Sequence, residues 1–283
     1  MTLFDPALFA QPYMQNALLT GTIAAILAGV VGFFVVVRGI SFAAHAVGQI
    51  GFAGAAGAVL LNLSPLAGLV VFAIGGAVGI GLLGERDHGR DVVTALILVF
   101  GLGVGALFLT LNTSYATAAF SLLFGSIVGI NRAQVWQTAA LTIGCLALIG
   151  VLYRPLVFSS VSADVAAARG VRVRLVGVLF LVIVGIAAAV TIPVAGTLLI
   201  FALMVGPGGA AVHLSSHPIK APLIAVGIGL LATWVGIILA YDTGWPVGVF
   251  ITAVVATCYG VARVAGPRLP TRMGKGHIVD GLA

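Results

Sequence analysis

Apolar runs of about 20 residues, separated by short polar breaks, occupy most of this 283-residue chain. Hydrophobic residues make up 61% of it and charged residues only 7%, whereas a soluble domain is about 25% charged. So few charges cannot cover a water-exposed surface, and an α-helix needs about 20 apolar residues to cross the hydrocarbon core of a bilayer. The sequence therefore predicts an all-α, polytopic transmembrane bundle. It excludes a soluble enzyme, a nucleic-acid binder and a disordered scaffold.

The apolar runs predict nine spans, with eight or ten as the alternatives. The predicted spans are 16–37, 41–61, 65–84, 92–111, 134–153, 175–192, 194–214, 221–241 and 246–265. A further apolar stretch, 117–131, is shorter and is interrupted by Gly125 and Gly129. We predict that this stretch enters the membrane or lies at its surface without crossing it.

The positions of the cations support this topology. With nine spans, every Lys and Arg except Arg132 falls on one side of the membrane. Because Lys and Arg concentrate in cytoplasmic loops, the N-terminus is expected outside and the C-terminus in the cytoplasm. We predict one transmembrane domain over residues 1–265, in the bacterial cytoplasmic membrane, and a cytoplasmic tail over 266–283.

One cytoplasmic segment has the pattern of a short helix, over about residues 162–170. Ser162 can cap its N-terminus, Asp164 lies in its first turn, and Gly170 follows Arg169 at its end. Such a helix between two spans suits docking to another protein. The alternative is a helix that only lies at the lipid headgroups.

Polar side chains within spans are functional candidates because they are costly in hydrocarbon. None of the seven Asp and Glu residues falls in a predicted span, which argues against proton-driven or sodium-driven transport and favours an energy source on a partner. His45 and Gln49 do lie in the second span, four residues apart and therefore on one helical face. They are candidate metal ligands, or they hydrogen-bond to neighbouring helices.

Small residues follow this pair along the same helix. Glycine recurs every third residue, at Gly48, Gly51, Gly54 and Gly57. Because small residues let helices approach closely, we expect the helix to lie inside the bundle.

A second pair with the same spacing, His213 and His217, lies at the cytoplasmic end of the seventh predicted span. Pro218 should end the helix near this point. A structural or headgroup role competes here with a role in metal release.

Several segments together resemble the ABC-3 family, the membrane permeases of bacterial ABC importers for zinc, manganese and iron. The resemblance runs from about Tyr13 to Val264 and rests on the order and spacing of five segments. These are MQNALLTGTIAAILAGVVGFFVVVRGISF, LLFGSIVGI, ADVAAARGV, VAGTLLIFALMVGPGGAA and WPVGVFI.

The resemblance implies a type II importer-like permease with several partners. These are a second permease chain in a homodimer or heterodimer, two cytoplasmic ATP-binding subunits and an extracellular metal-binding receptor. The ADVAAARGV segment would be the coupling helix, with Asp164, Arg169, Gly170 and Val171 at the ATPase. The chain has no GxxxxGK[ST] motif, so ATP is expected on the partner subunit, and no covalently bound cofactor is expected. The chain is therefore expected to be a transport subunit and not an enzyme.

The sequence departs from the family where the metal is thought to pass. Family members commonly carry an Asp and a His four apart in the second span, and this chain has His45 and Gln49 at those positions. Imidazole in place of a hard carboxylate favours zinc, with manganese or iron next. The loss of the carboxylate also leaves open a permease for a chelated or organic substrate, similar to siderophore and cobalamin permeases. An intramembrane metalloprotease is disfavoured because HExxH is absent.

Overall fold

The computed structural model describes residues 11–84, 89–111, 123–125, 130–197 and 199–265. These residues form helices and connecting turns, with no strand among them. In chain order the helices are α1 (Pro12–Val37), α2 (Ser41–Leu60), α3 (Pro65–Leu83), α4 (Gly89–Thr110), α5 (Arg132–Val161), α6 (Ala163–Ala168), α7 (Val173–Ala195), α8 (Ile200–Leu214), α9 (Lys220–Thr243) and α10 (Val247–Ala265). The predicted all-α class is confirmed. The predicted tail, 266–283, lies outside the described residues.

Eight of the described helices are long and apolar enough to cross a membrane, namely all except α6 and α8. The seventh predicted span, 194–214, is represented by α8, which has 15 residues. At 1.5 Å per residue, α8 is about 22 Å long and cannot cross a hydrocarbon core of about 30 Å by itself. A crossing at this point would need the residues before Ile200 as well, which the predicted span 194–214 includes.

The boundary between the sixth and seventh predicted spans was wrong. We predicted a break at Pro193, but α7 continues through Pro193 to Ala195, and the chain leaves the helix at Gly196. Gly196 has φ of +80°, a left-handed conformation that strongly favours glycine. The glycine, and not the proline, ends this helix.

α5 continues past the end of the fifth predicted span, at residue 153, to Val161, and Pro155 lies inside the helix. The proline removes one backbone donor, but the helix continues through it. The polar last turns of α5 lead directly into α6.

The bundle places α1, α2 and α7 at its centre. Each of them is buried along most of its length, and α3, α4, α5, α9 and α10 pack around them. Large apolar side chains on the outer helices remain exposed, including Phe100, Trp136 and Val264. An apolar outer face on this scale is typical of a surface covered by lipid.

The described parts of the 117–131 stretch lie near a single end of the bundle. Leu123 packs against the buried cluster of Phe52, Ala56 and Leu109, close to the end of α4. At the other side of the stretch, the carbonyl of Ile130 accepts a hydrogen bond of 3.2 Å from Nδ2 of Asn16, in the second turn of α1. This arrangement fits a segment that does not cross, and the rest of the stretch lies outside the described residues.

Candidate functional site

The helix that carries His45 and Gln49 lies inside the bundle, as the glycine pattern predicted. All four glycines of the pattern are buried. The closest approach is at Gly54 of α2, which faces Gly68 of α3. A methyl group on Gly54 would overlap the Gly68 carbonyl oxygen and lie 2.7 Å from its carbon. Only glycine at both positions allows these two backbones to touch.

The polar pair on α2 faces the link between α7 and α8, which we call the 196–199 break and of which Gly196, Thr197 and Leu199 are described. The side-chain amide of Gln49 donates a 3.0 Å hydrogen bond from Nε2 to the backbone carbonyl of Thr197. The ring of His45 meets the ring of Phe201 edge-on, with centroids 5.3 Å apart. Successive turns of α2 therefore contact the first turn of α8 and the break before it, and α2 runs antiparallel to this part of the chain.

Two polar atoms at this site are buried without a hydrogen-bond partner in the described structure. They are Nδ1 of His45 and Oγ1 of Thr197. Thr197 is fully buried, and Gln49 is 7% exposed. A buried polar atom without a partner is energetically costly, so one in an intramembrane site is a candidate for ligand binding. Neutral imidazole nitrogen is a ligand for divalent transition metals, and hydroxyl, carbonyl and amide oxygens are harder, weaker ones.

The described residues contain no group of three or more His, Cys, Asp or Glu side chains that could hold a metal ion. The site can therefore offer a cation one imidazole together with neutral oxygens. Such a site suits passage better than tight, permanent binding, because no negative charge in it offsets a dication.

Sequence reasoning missed Thr197. Its one local signal was a polar residue directly after the glycine of the PVAGT segment, in the interior of an apolar run. Its contact with Gln49 joins residues 148 positions apart, and no pattern of spacing predicts such a contact.

The second predicted pair, His213 and His217, is not stacked on one helical face. α8 ends at Leu214, four residues before Pro218, so His217 lies beyond the helix. The chain leaves the helix earlier because Ser215 and His217 form local turn bonds. His217 N donates to Ser215 Oγ at 3.2 Å, and Ile219 N donates to His217 Nδ1 at 3.3 Å. His213 packs edge-on against Tyr259, with ring centroids 5.5 Å apart.

The predicted short helix is present as α6, at the end of the bundle that carries most of the described cations, which we call the basic end. Ser162 caps it by accepting a hydrogen bond from Val165 N, and Asp164 lies in its first turn. After the helix, Gly170 has φ of +83°. Only Ala166 of α6 is buried, so the rest of its surface is available to a partner.

The residues around α6 form an open depression of about 340 Å³, lined by Arg154, Pro155, Phe158, Arg169 and Val171. The guanidinium of Arg169 lies 5.7 Å from the centre of the Phe158 ring, a cation–π contact. Arg169 and Val171, two of the four predicted coupling residues, therefore border one concave surface.

Arg38 bonds the link between α1 and α2 to the end of α5, a contact that sequence reasoning also missed. It lies in the short link between α1 and α2, and its Nη1 donates to Ser159 Oγ at 2.8 Å and to Ser160 Oγ at 3.3 Å. Its guanidinium also lies 5.7 Å from the centre of the buried Phe180 ring. The link that precedes α2 is thus bonded to the last turn of α5, three residues before α6 begins.

A bundle of this kind, with a polar pair facing a broken helix and an exposed capped helix at its basic end, defines a multi-pass membrane transport subunit. Residues 10–265 match the model of the ABC 3 transport family. The chain belongs to this family, which confirms the resemblance seen in the sequence. It is a multi-pass bacterial membrane protein.

Relatives and a solved structure match nearly the whole chain. The manganese transport system membrane protein MntC of Listeria innocua is 23% identical over 94% of this chain and 95% of its own length. The manganese import system permease protein ScaB of Streptococcus parasanguinis is 26% identical over 90% and 91%. The structure of PsaBC from Streptococcus pneumoniae in complex with Fab shares the fold, with a TM-score of 0.84 and 24% identity over 93% of this chain and 95% of that chain.

Proposed function

We propose that this metal ABC importer permease carries divalent manganese across the bacterial membrane, through a path that passes His45 and Gln49. The observation that carries the proposal is the buried, unpartnered Nδ1 of His45, beside the 196–199 break that Gln49 contacts. Manganese is supported by the names of relatives that match over nine-tenths of the chain.

Zinc is the second candidate, and a specific observation favours it. Among the described residues of the proposed path, the one side-chain nitrogen with a lone pair for a metal is the imidazole nitrogen of His45, which suits zinc better than manganese. The oxygens of Gln49 and Thr197 favour the harder manganese ion instead. Iron is the third candidate.

The transport cycle that we propose runs by alternating access. A receptor delivers the ion outside, and two cytoplasmic ATPase subunits bind and hydrolyse ATP. A second permease chain, identical or related, completes the path. Each ATPase would seat α6 in a groove, with Asp164, Arg169, Gly170 and Val171 at the contact. Its movement would reach α2 through the bonds of Arg38 to Ser159 and Ser160.

The test is uptake of metal by the complete complex, expressed in a bacterial strain that lacks its own manganese and zinc importers. We expect saturable manganese uptake that stops when the ATPase subunit is inactivated by substitution. Adding zinc or iron as competitor ranks the three metals. A complex that moves no free metal ion but takes up a chelated metal would overturn the proposal in favour of a chelate permease.

A further inference from the structure

The 196–199 break falls in the predicted membrane span 194–214, and its residues Gly196 and Thr197 are buried in protein. α2 contacts it on one side through Gln49. On another side lies the 123–125 segment, where Gly125 has φ of +78° and a methyl group on it would lie 2.9 Å from Gly196 N. Non-helical backbone at this depth is tolerated only when it is buried in protein or lines a polar path. In transport proteins, unwound backbone of this kind supplies carbonyl oxygens to ions.

Thr197 is the polar residue of the break, and its surroundings differ from those of four of the helical threonines. Thr22, Thr191, Thr243 and Thr257 each donate their hydroxyl to a carbonyl one turn earlier in their helix. The hydroxyl of Thr197 has no partner in the described structure although the residue is fully buried.

Burial without a partner does not by itself select Thr197, because the helical residues Thr20, Thr142 and Thr233 are also buried, with hydroxyls that have no partner in the described structure. The distinguishing feature of Thr197 is its contact with the polar pair. Its carbonyl is fixed by Gln49 at 3.0 Å. It lies four residues before Phe201, whose ring contacts His45. Two oxygens of one residue are therefore held next to the pair that we place in the path.

We infer that Thr197 is a cargo-contacting residue, whose hydroxyl and carbonyl oxygens form the oxygen-donor side of the metal path. This inference rests on the proposed function. Gln49 orients the carbonyl, and His45 supplies the nitrogen. Neutral oxygens take the place of the carboxylate that the second span lacks, and they favour manganese over zinc.

The test compares three substitutions in the complete complex. Thr197→Val keeps the shape and removes the hydroxyl, Thr197→Ser keeps the hydroxyl, and Thr233→Val is the matched control. We expect Thr197→Val to raise the KM for manganese uptake about tenfold, the order of a lost supporting ligand. Thr197→Ser and Thr233→Val should stay within about twofold of the unsubstituted complex, because both leave the Thr197 oxygens in place.

A second measurement separates a lost ligand from general damage. In cells expressing the Thr197→Val complex, manganese should become a weaker competitor of zinc uptake, while the amount of assembled complex stays unchanged. If the valine variant does not assemble, Thr197→Ala replaces it in the same comparison. Equal KM values for Thr197→Val and Thr233→Val would overturn the inference and leave the proposed function standing. An unsubstituted complex that moves no divalent metal would overturn both.

Discussion

The pairs His45 with Gln49 and His213 with His217 have the same spacing of four residues, and the structure treats them differently. The first lies in the middle of α2, which is helical from Ser41 to Leu60. The second is divided by the end of α8 at Leu214. Spacing of four places two side chains on one face only while the helix continues through both.

The surroundings of the two pairs differ as much as their backbones. Gln49 is buried and hydrogen-bonds to the backbone of Thr197, between α7 and α8. His217 is exposed, and its Nδ1 accepts a hydrogen bond from the backbone of Ile219, two residues away. A polar group with a local partner needs no ligand. The buried Nδ1 of His45 has no partner in the described structure. The functional candidate is therefore the inner pair, His45 and Gln49, and not the outer pair, His213 and His217.

The substitution with the largest expected effect removes the helix packing that keeps His45 and Gln49 inside the bundle. Gly54→Leu would force a side chain into the backbone of Gly68 and toward Phe72 Cβ, 2.6 Å from the new methyl group. Neither backbone can yield without separating α2 from α3, so we expect a destabilisation of at least about 3 kcal/mol. Thermal unfolding of the purified protein in detergent should show little or no folded species.

The matched control for this substitution is Gly48→Ala on the same helix. Its nearest neighbour would be Ile200 Cγ2 at 3.6 Å, an ordinary contact. We expect its melting temperature to stay close to that of the unsubstituted protein. A Gly54→Leu protein that melted with the control would show that α2 does not depend on this contact.

Much of the fold could be predicted from the sequence because its signals are local. Apolar length gave most of the spans, and the caps of α6 at Ser162 and Gly170 were legible from residue type alone. The predicted helix ends were wrong where tertiary packing determines the end of a helix. Pro193 remains helical and Gly196 ends the helix, a choice that residue type alone left ambiguous.

The candidate site was only half predictable, for a related reason. A polar side chain in an apolar helix can be found by inspection, which gave His45 and Gln49. Their contacts with Thr197 and Phe201 join distant parts of the chain, as do those of Arg38 with Ser159 and Ser160. These contacts depend on how the helices pack, and the sequence of a single segment does not determine that packing.

The next prediction compares one substitution in each of the two pairs. His45→Ala removes the imidazole that the described residues place at the inner site, and we expect uptake of the transported metal to fall by at least about tenfold. His213→Ala removes an aromatic contact with Tyr259 and should leave uptake within about twofold. Initial uptake rates of both variants in the complete complex, at equal amounts of assembled protein, measure the difference. If the two variants lost uptake equally, the distinction between inner and outer pair would fail.

The smallest effect is expected at His217. His217→Ala removes an exposed acceptor that holds Ile219 N at 3.3 Å, and a surface change of this kind alters the free energy of unfolding by no more than about 0.5 kcal/mol. Because the imidazole already accepts a backbone bond through Nδ1, a metal could use only its other nitrogen, and Leu214 ends the helix that would have placed His213 beside it. We therefore expect unchanged melting and unchanged metal uptake. A marked loss of uptake with normal melting would instead place His217 on the metal's exit route and restore the second pair as a functional site.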